Sequence, residues 1–106
     1  MTVMSLYHPI RDELKLTTVL HALSDPQRLQ IVRELHEDPT PRPCGSFELD
    51  VSKSTCTHHF RVLREAGVVA QREAGTSKLT SLRQEDLDER FPGLLDAVLG
   101  SVAVEA

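Results

Sequence analysis

Residues 52–67 constrain this chain more than any other stretch. Ser52 stands where an N-cap hydroxyl belongs and Gly67 where a left-handed stop belongs, with fourteen residues between them. Cys56, Phe60 and Leu63, with Val62 beside them, recur at helical spacing and predict an apolar stripe. Ser54, Thr57, His58 and Arg61 recur at the same spacing and predict a polar one. A helix of this kind buries one side and offers short hydroxyls, an imidazole and a guanidinium on the other. Cys56 falls on the apolar side and reads as a buried structural thiol, since free cysteine behaves as a small hydrophobe. His59, next to Phe60, reads as a packed helix residue rather than a ligand.

Two short strand-like runs follow, residues 68–73 and 78–82, separated by Ala74, Gly75, Thr76 and Ser77. They predict a β-hairpin with a small polar tip. Upstream, Leu16, Val19, Leu20 and Leu23 predict a helix over residues 12–23. Asp25 and Pro26 mark the start of a second helix, with Asp25 as N-cap and Pro26 at the first helical position, where its missing N–H is no loss. Leu29, Ile31, Val32 and Leu35 give that helix its apolar face, and it ends near His36 or Glu37. Pro39, Pro41 and Pro43 prevent its continuation, so residues 38–45 read as a proline-rich surface loop. Residues 44–50 admit one short helical turn. A last helical region runs over residues 84–102, broken or kinked at Pro92. Its apolar face is Leu94, Leu95, Val98 and Leu99, and Glu85, Asp86, Asp88 and Glu89 form an acidic cluster that complements the dipole of its first turn. Residues 1–10 read as a flexible tail. The whole is one mainly α-helical domain over residues 1–106, the size at which a chain builds a single modest core.

Net charge narrows the partners only when read locally. The chain carries −4. Residues 52–83 nevertheless hold six basic residues (Lys53, Arg61, Arg64, Arg72, Lys78 and Arg83) against Glu65 and Glu73, so this segment carries +4 and the remainder −8. Polyanion binding depends on a local basic face, not on the total. No run approaches the about 18 apolar residues of a membrane span, and no secretory signal is visible. Two cysteines make neither a disulfide framework nor a four-ligand zinc motif, which leaves the reducing cytoplasm as the expected compartment. No paired carboxylates, Ser-His-Asp set or glycine-rich phosphate loop occurs at a usable spacing, so an enzyme is not expected.

A two-faced helix preceded by another helix and followed by a basic hairpin is the plan of a winged helix-turn-helix. An α-helix fits the major groove of B-DNA, where hydroxyl and imidazole groups reach base edges and arginine pairs with guanine. His58 and Arg61, one turn apart on the outward face, are the expected base readers, with Thr57 beside them. Ser52, Lys53, Ser54 and Thr55 at the helix start, and Arg72, Thr76, Ser77 and Lys78 on the hairpin, are the expected backbone contacts. The alternative is a protein-interaction module that keeps the same fold without reading DNA; such a module would carry large apolar residues where Ser54, Thr57, His58 and Arg61 stand.

The run S-K-S-T-C-T-H-H-F-R-V-L-R-E-A-G-V-V (residues 52–69) resembles the recognition helix and following strand of bacterial ArsR/SmtB-type winged-helix repressors. L-H-A-L-S-D-P-Q-R-L-Q-I-V-R-E-L (residues 20–35) is similar to that family's first two helices, with their Asp-Pro-x-Arg-Leu core. The resemblance covers about residues 16–99. It implies a homodimeric transcriptional regulator of double-stranded DNA, reading a dyad-symmetric operator, with the first and last helices pairing between subunits through Leu16, Val19, Leu20, Leu23, Leu94, Leu95, Val98 and Leu99. Metal-sensing members commonly carry a Cys-x-Cys-Asp-type motif before the recognition helix, or Asp and His in the last helix. Here residues 43–49 hold only Cys44, and the last helix has no histidine. Neither site carries over, and no cofactor is expected. The lesser candidates for a transition-metal ion are Cys44, His8 and His21, which fall short of the three or four ligands such an ion takes.

Overall fold

The structure is a computed structural model and describes residues 6–105. Its elements run α1 (Leu16–Leu23), α2 (Pro26–Glu37), β1 (Arg42–Pro43), α3 (Lys53–Ala66), β2 (Val69–Ala74), β3 (Ser77–Leu82), α4 (Gln84–Arg90) and α5 (Leu94–Glu105), with single 3-10 turns at Arg11–Glu13 and Cys44–Ser46. The three strands form one antiparallel sheet in the order β1-β3-β2. This is a winged helix-turn-helix: α2 and α3 are its helix pair, and β2 with β3 is its wing.

Local chemistry explains most boundaries. The Asp25 carboxylate accepts hydrogen bonds from the Gln27 and Arg28 backbone N–H groups, at 2.8 and 3.2 Å, which caps α2 with Pro26 in its first turn. Ser52 Oγ accepts from Thr55 N at 3.2 Å and caps α3. Gly67 ends α3 at φ +86°, and its amide bonds back to the Arg64 carbonyl. A Cβ at Gly67 would also collide with the Leu14 side chain. Glycine is therefore required twice there, for its backbone angle and for the room it leaves.

The core gathers Val19, Ala22 and Leu23 from α1, Ile31, Val32 and Leu35 from α2, and Phe60, Leu63 and Ala66 from α3. Val68, Val69, Leu87, Leu95 and Leu14 close around them. Phe47, on the segment leading into α3, packs its ring 5.3 Å from that of Phe60. The recognition helix is thus fastened to the core along one face for most of its length.

Four expectations need correction. The first helix does not run from Asp12: the chain makes a 3-10 turn at Arg11–Glu13 and then extends at Leu14. Glu13 Oε1 accepts from Ile10 N at 2.9 Å, which favours a local cap over a continued helix, and the extended backbone delivers Leu14 into the core. The flexible tail fails for residues 6–10, because Pro9 is buried and the His8 ring accepts from the Gln71 backbone N–H at 2.9 Å; residues 1–5 lie outside the described residues. The 38–45 loop contains β1, paired Arg42 to Thr80 and Pro43 to Leu79. Proline already holds extended backbone, and an edge strand tolerates its missing donor. Finally, three of the eight helical residues assigned to a subunit interface, Val19, Leu23 and Leu95, belong to the chain's own core. One small domain needs those side chains for itself, and Leu16 and Leu20 are the members of the first stripe left exposed.

Candidate nucleic-acid interface

The cap at Ser52 and the burial of His59, Phe60, Leu63 and Ala66 set which way α3 faces. Lys53, Ser54, Thr57, His58 and Arg61 are all exposed on the opposite side. Thr57 Oγ1 donates to the Lys53 carbonyl at 3.0 Å, so its proton is held on the helix. The Ser52 hydroxyl is shared between the Thr55 amide and Thr55 Oγ1, so its first task is the cap. Beside the helix, β2 and β3 pair in register from Val69–Leu82 to Ala74–Ser77, leaving Gly75 and Thr76 as a two-residue turn. Gly75 lies at φ +63° and is the only one of the two on the left-handed side, which is where a tight hairpin of matching twist needs glycine. Arg72, Thr76, Ser77 and Lys78 are exposed on this wing.

The basic residues divide, although Lys15, Arg28 and Arg90, outside α3 and the wing, also hold no carboxylate within 4.0 Å among the described residues. Arg11, Arg33, Arg42 and Arg83 each hold a carboxylate within 4.0 Å. Among the described residues, Lys53, Arg61, Arg64, Arg72 and Lys78, the cations of α3 and the wing, have no such partner. Lys78 stands opposite Glu73 in the register without closing an ion pair. Of the six cations counted in residues 52–83, Arg83 is thus held by Asp86, and the other five hold no carboxylate.

A buried polar cluster behind that face went unread in the sequence. Arg28 is buried and donates from Nε to the Ala22 carbonyl at 2.7 Å, from Nη2 to the His21 carbonyl at 3.3 Å, and from Nη1 to His59 Nδ1 at 3.1 Å. Arginine only donates, so His59 is neutral with its proton on Nε2, directed at Asp25 Oδ1 3.8 Å away. Burial pushes the His59 pKa below its ordinary value, more than Asp25 raises it. Burial also opposes ionisation of Asp25, but the two backbone hydrogen bonds, with His59 and Arg28 nearby, hold its pKa below the usual range. The cluster closes the end of α1, the start of α2 and the inner face of α3 into one unit. The Asp-Pro-x-Arg spacing was its available signal.

Cys56 is the other correction. It is half-buried rather than in the core, because the first turns of α3 overhang a gap beside the wing. Cys44 lines the same gap, and the Cys56 thiol is pushed up in pKa by burial and then by that neighbour. Cys44 Sγ accepts from Gln71 Nε2 at 3.1 Å and lies 3.4 Å from Thr80 Oγ1. Both ring nitrogens of His8 are engaged, one with the Leu6 carbonyl and one with Gln71 N, and His21 is exposed on α1. No three His, Cys, Asp or Glu side chains converge as a metal site among the described residues.

Against known proteins, a family model described as a helix-turn-helix domain matches residues 23–72. The chain is 35% identical over 82 residues to the HTH-type transcriptional regulator YceK of Bacillus subtilis, spanning 76% of this chain and 82% of that one. Among solved structures, an ArsR-like transcriptional regulator from Rhodococcus superposes with a TM-score of 0.58 at 25% identity, covering 86% of this chain and 92% of the other. The transcriptional repressor BigR from Xylella fastidiosa superposes with a TM-score of 0.57 at 26% identity, covering 72% and 85%. No helix among the described residues is long and apolar enough to cross a membrane. With the two motifs, the winged fold and these relatives in agreement, the chain belongs to the ArsR family of helix-turn-helix transcriptional regulators.

Proposed function

We propose that the protein is a cytoplasmic, homodimeric, sequence-specific DNA-binding repressor that reads a dyad-symmetric operator. The observation that carries this reading is the cluster of cations on α3 and the wing that hold no carboxylate, set against Arg11, Arg33, Arg42 and Arg83, which do. In this reading α3 enters the major groove. His58, Arg61 and Thr57 meet base edges, while Ser52, Lys53, Ser54 and Thr55 lie at phosphates by the helix N-terminus. Arg72, Thr76, Ser77 and Lys78 follow the adjacent backbone. Among the described residues the exposed large apolar ones are Tyr7, Ile10, Leu16, Leu20 and Val104, and none lies on α3 or the wing, which favours DNA over a protein partner at that face.

Leu16 and Leu20, 46% and 42% exposed, and the half-buried Leu94, Val98 and Leu99 are what remains to pair with a second subunit. Two subunits related by a dyad present two recognition helices to half-sites about 10 base pairs apart. A repressor role is proposed by analogy with the transcriptional repressor BigR. Selection of bound sites from random duplexes, followed by sedimentation of the free protein, tests the reading. It expects an enriched inverted repeat and a dimer at micromolar concentration; an unenriched pool or a monomer would contradict it.

A further inference from the structure

Between the first turns of α3 and the wing lies a cleft of about 440 Å³, which DNA reading alone does not require. Its floor is apolar and soft: the Phe60 ring with the Cys44 and Cys56 thiols. Its walls are cationic, with Lys53, Arg61 and Arg64 on the helix and Lys78 on the wing, and no acidic residue lines it. Arg64 is the notable wall. Nη1 donates to Gln71 Oε1 at 2.8 Å, whereas Nε is buried without an acceptor, and no carboxylate lies within 4.0 Å among the described residues. Nε is closed off from the cleft, and it is the rest of this carboxylate-free guanidinium, lining an apolar pocket, that suits an anionic acceptor. The volume suits a small ligand, and an apolar pocket with a few convergent polar groups is the usual form of a small-molecule site.

We propose that this cleft binds a small organic anion, a flat apolar body bearing a carboxylate, sulfonate or phosphate, and that its occupant displaces DNA. The apolar body lies over Phe60 between the two thiols, and the acid group meets Arg64 and Lys53. Displacement follows from shared residues, because Lys53, Arg61 and Lys78 line the cleft and cannot face its occupant and the duplex at once. That second half rests on the DNA-binding reading; the first half does not.

The test uses the full chain and the fluorescent aromatic sulfonate 1-anilinonaphthalene-8-sulfonate, with its uncharged counterpart N-phenyl-1-naphthylamine and inorganic phosphate as separate arms. Saturable binding of the sulfonate is expected, with slower alkylation of both Cys44 and Cys56 by iodoacetamide, read residue by residue by mass spectrometry. Arg64→Gln and Lys53→Gln should each weaken binding about five-fold or more while circular dichroism stays unchanged. Equal binding of the uncharged probe, equal thiol protection by phosphate, or unchanged affinity in both folded variants would overturn the site. If either variant unfolds, thiol protection in the wild-type chain decides alone. Competition is read separately: the sulfonate and a selected duplex should weaken each other by the same factor. A duplex that binds without affecting a bound, thiol-protecting sulfonate would overturn displacement. A chain that takes the sulfonate but no duplex would overturn the DNA reading and leave the site standing.

Discussion

The α3–wing face and the helical base built from α1, α4 and α5 are both solvent-exposed, yet they use charge in opposite ways. On the base, Arg11 and Arg83 converge on Asp86, at 2.7 and 2.9 Å, and Arg83 also donates to the Pro9 carbonyl. Those arginines tie the N-terminal segment to α4, and they hold the Asp86 carboxyl below the usual range. On the α3–wing face the cations hold no carboxylate, and the residues around them are short and polar. The difference teaches that an arginine's task is read from its partners. Arg11 and Arg83 organise the fold through Asp86, and Arg28 and Arg90 do so through carbonyls and His59, whereas the exposed cations of α3 and the wing are left for an outside anion.

The comparison can be broken hardest at the joint between the two regions. Gly67→Ala must hold a left-handed backbone and displace Leu14, so it should destabilise the chain by about 3–4 kcal/mol in denaturant unfolding. A loss under about 1 kcal/mol would mean that Leu14 does not occupy that space. Next comes Arg28→Ala, which strips acceptors on α1 and His59 of their donor and should cost about 2–3 kcal/mol. Removing a cation of the other region, Arg61, should leave stability within about 0.5 kcal/mol.

The same buried cluster gives a pH dependence. His59 has a depressed folded pKa, so its contribution is fully present above the unfolded value of about 6.5 and is lost as pH falls through the folded one. Thermal melts should therefore show stability dropping as pH falls below about 6.5, before carboxylates protonate. His59→Gln, whose amide oxygen still accepts from Arg28, should flatten that part of the profile. An unchanged slope would assign it elsewhere.

The smallest effects separate free from paired cations. Lys78→Ala should weaken binding to specific and random duplexes alike, by about 1 kcal/mol or less, and lower the salt slope by about 1. Arg33→Ala, whose partner Glu37 lies one turn away at 3.3 Å, should change neither DNA affinity nor salt slope. Equal effects of the two substitutions in a salt titration would erase the distinction between the faces.

What could be read in advance followed from local chemistry. The caps at Asp25 and Ser52, the stop at Gly67 and the two faces of α3 are each decided within a few residues. β1 is not local: Arg42 and Pro43 become a strand only because β3 offers an edge, and prolines that forbid a helix also read as loop. Leu14 extends because Gly67, far along the chain, leaves a hole for it. Cys56 obeys the apolar spacing but faces a gap that exists only once the wing is in place. The polar face of α3 was legible residue by residue; the Arg28–His59 contact behind it required the packing of two helices.

The central claim is that α3 and the wing form a DNA-reading face whose base selectivity runs through Arg61. Its most direct test is fluorescence-anisotropy titration of wild type and Arg61→Ala on a selected duplex and on a scrambled one of equal length, across a range of salt. The account predicts that Arg61→Ala loses about 1–3 kcal/mol on the selected duplex and much less on the scrambled one. Equal losses on both duplexes would reduce Arg61 to a phosphate contact, and binding by neither protein at low salt would contradict the assignment of this face to DNA.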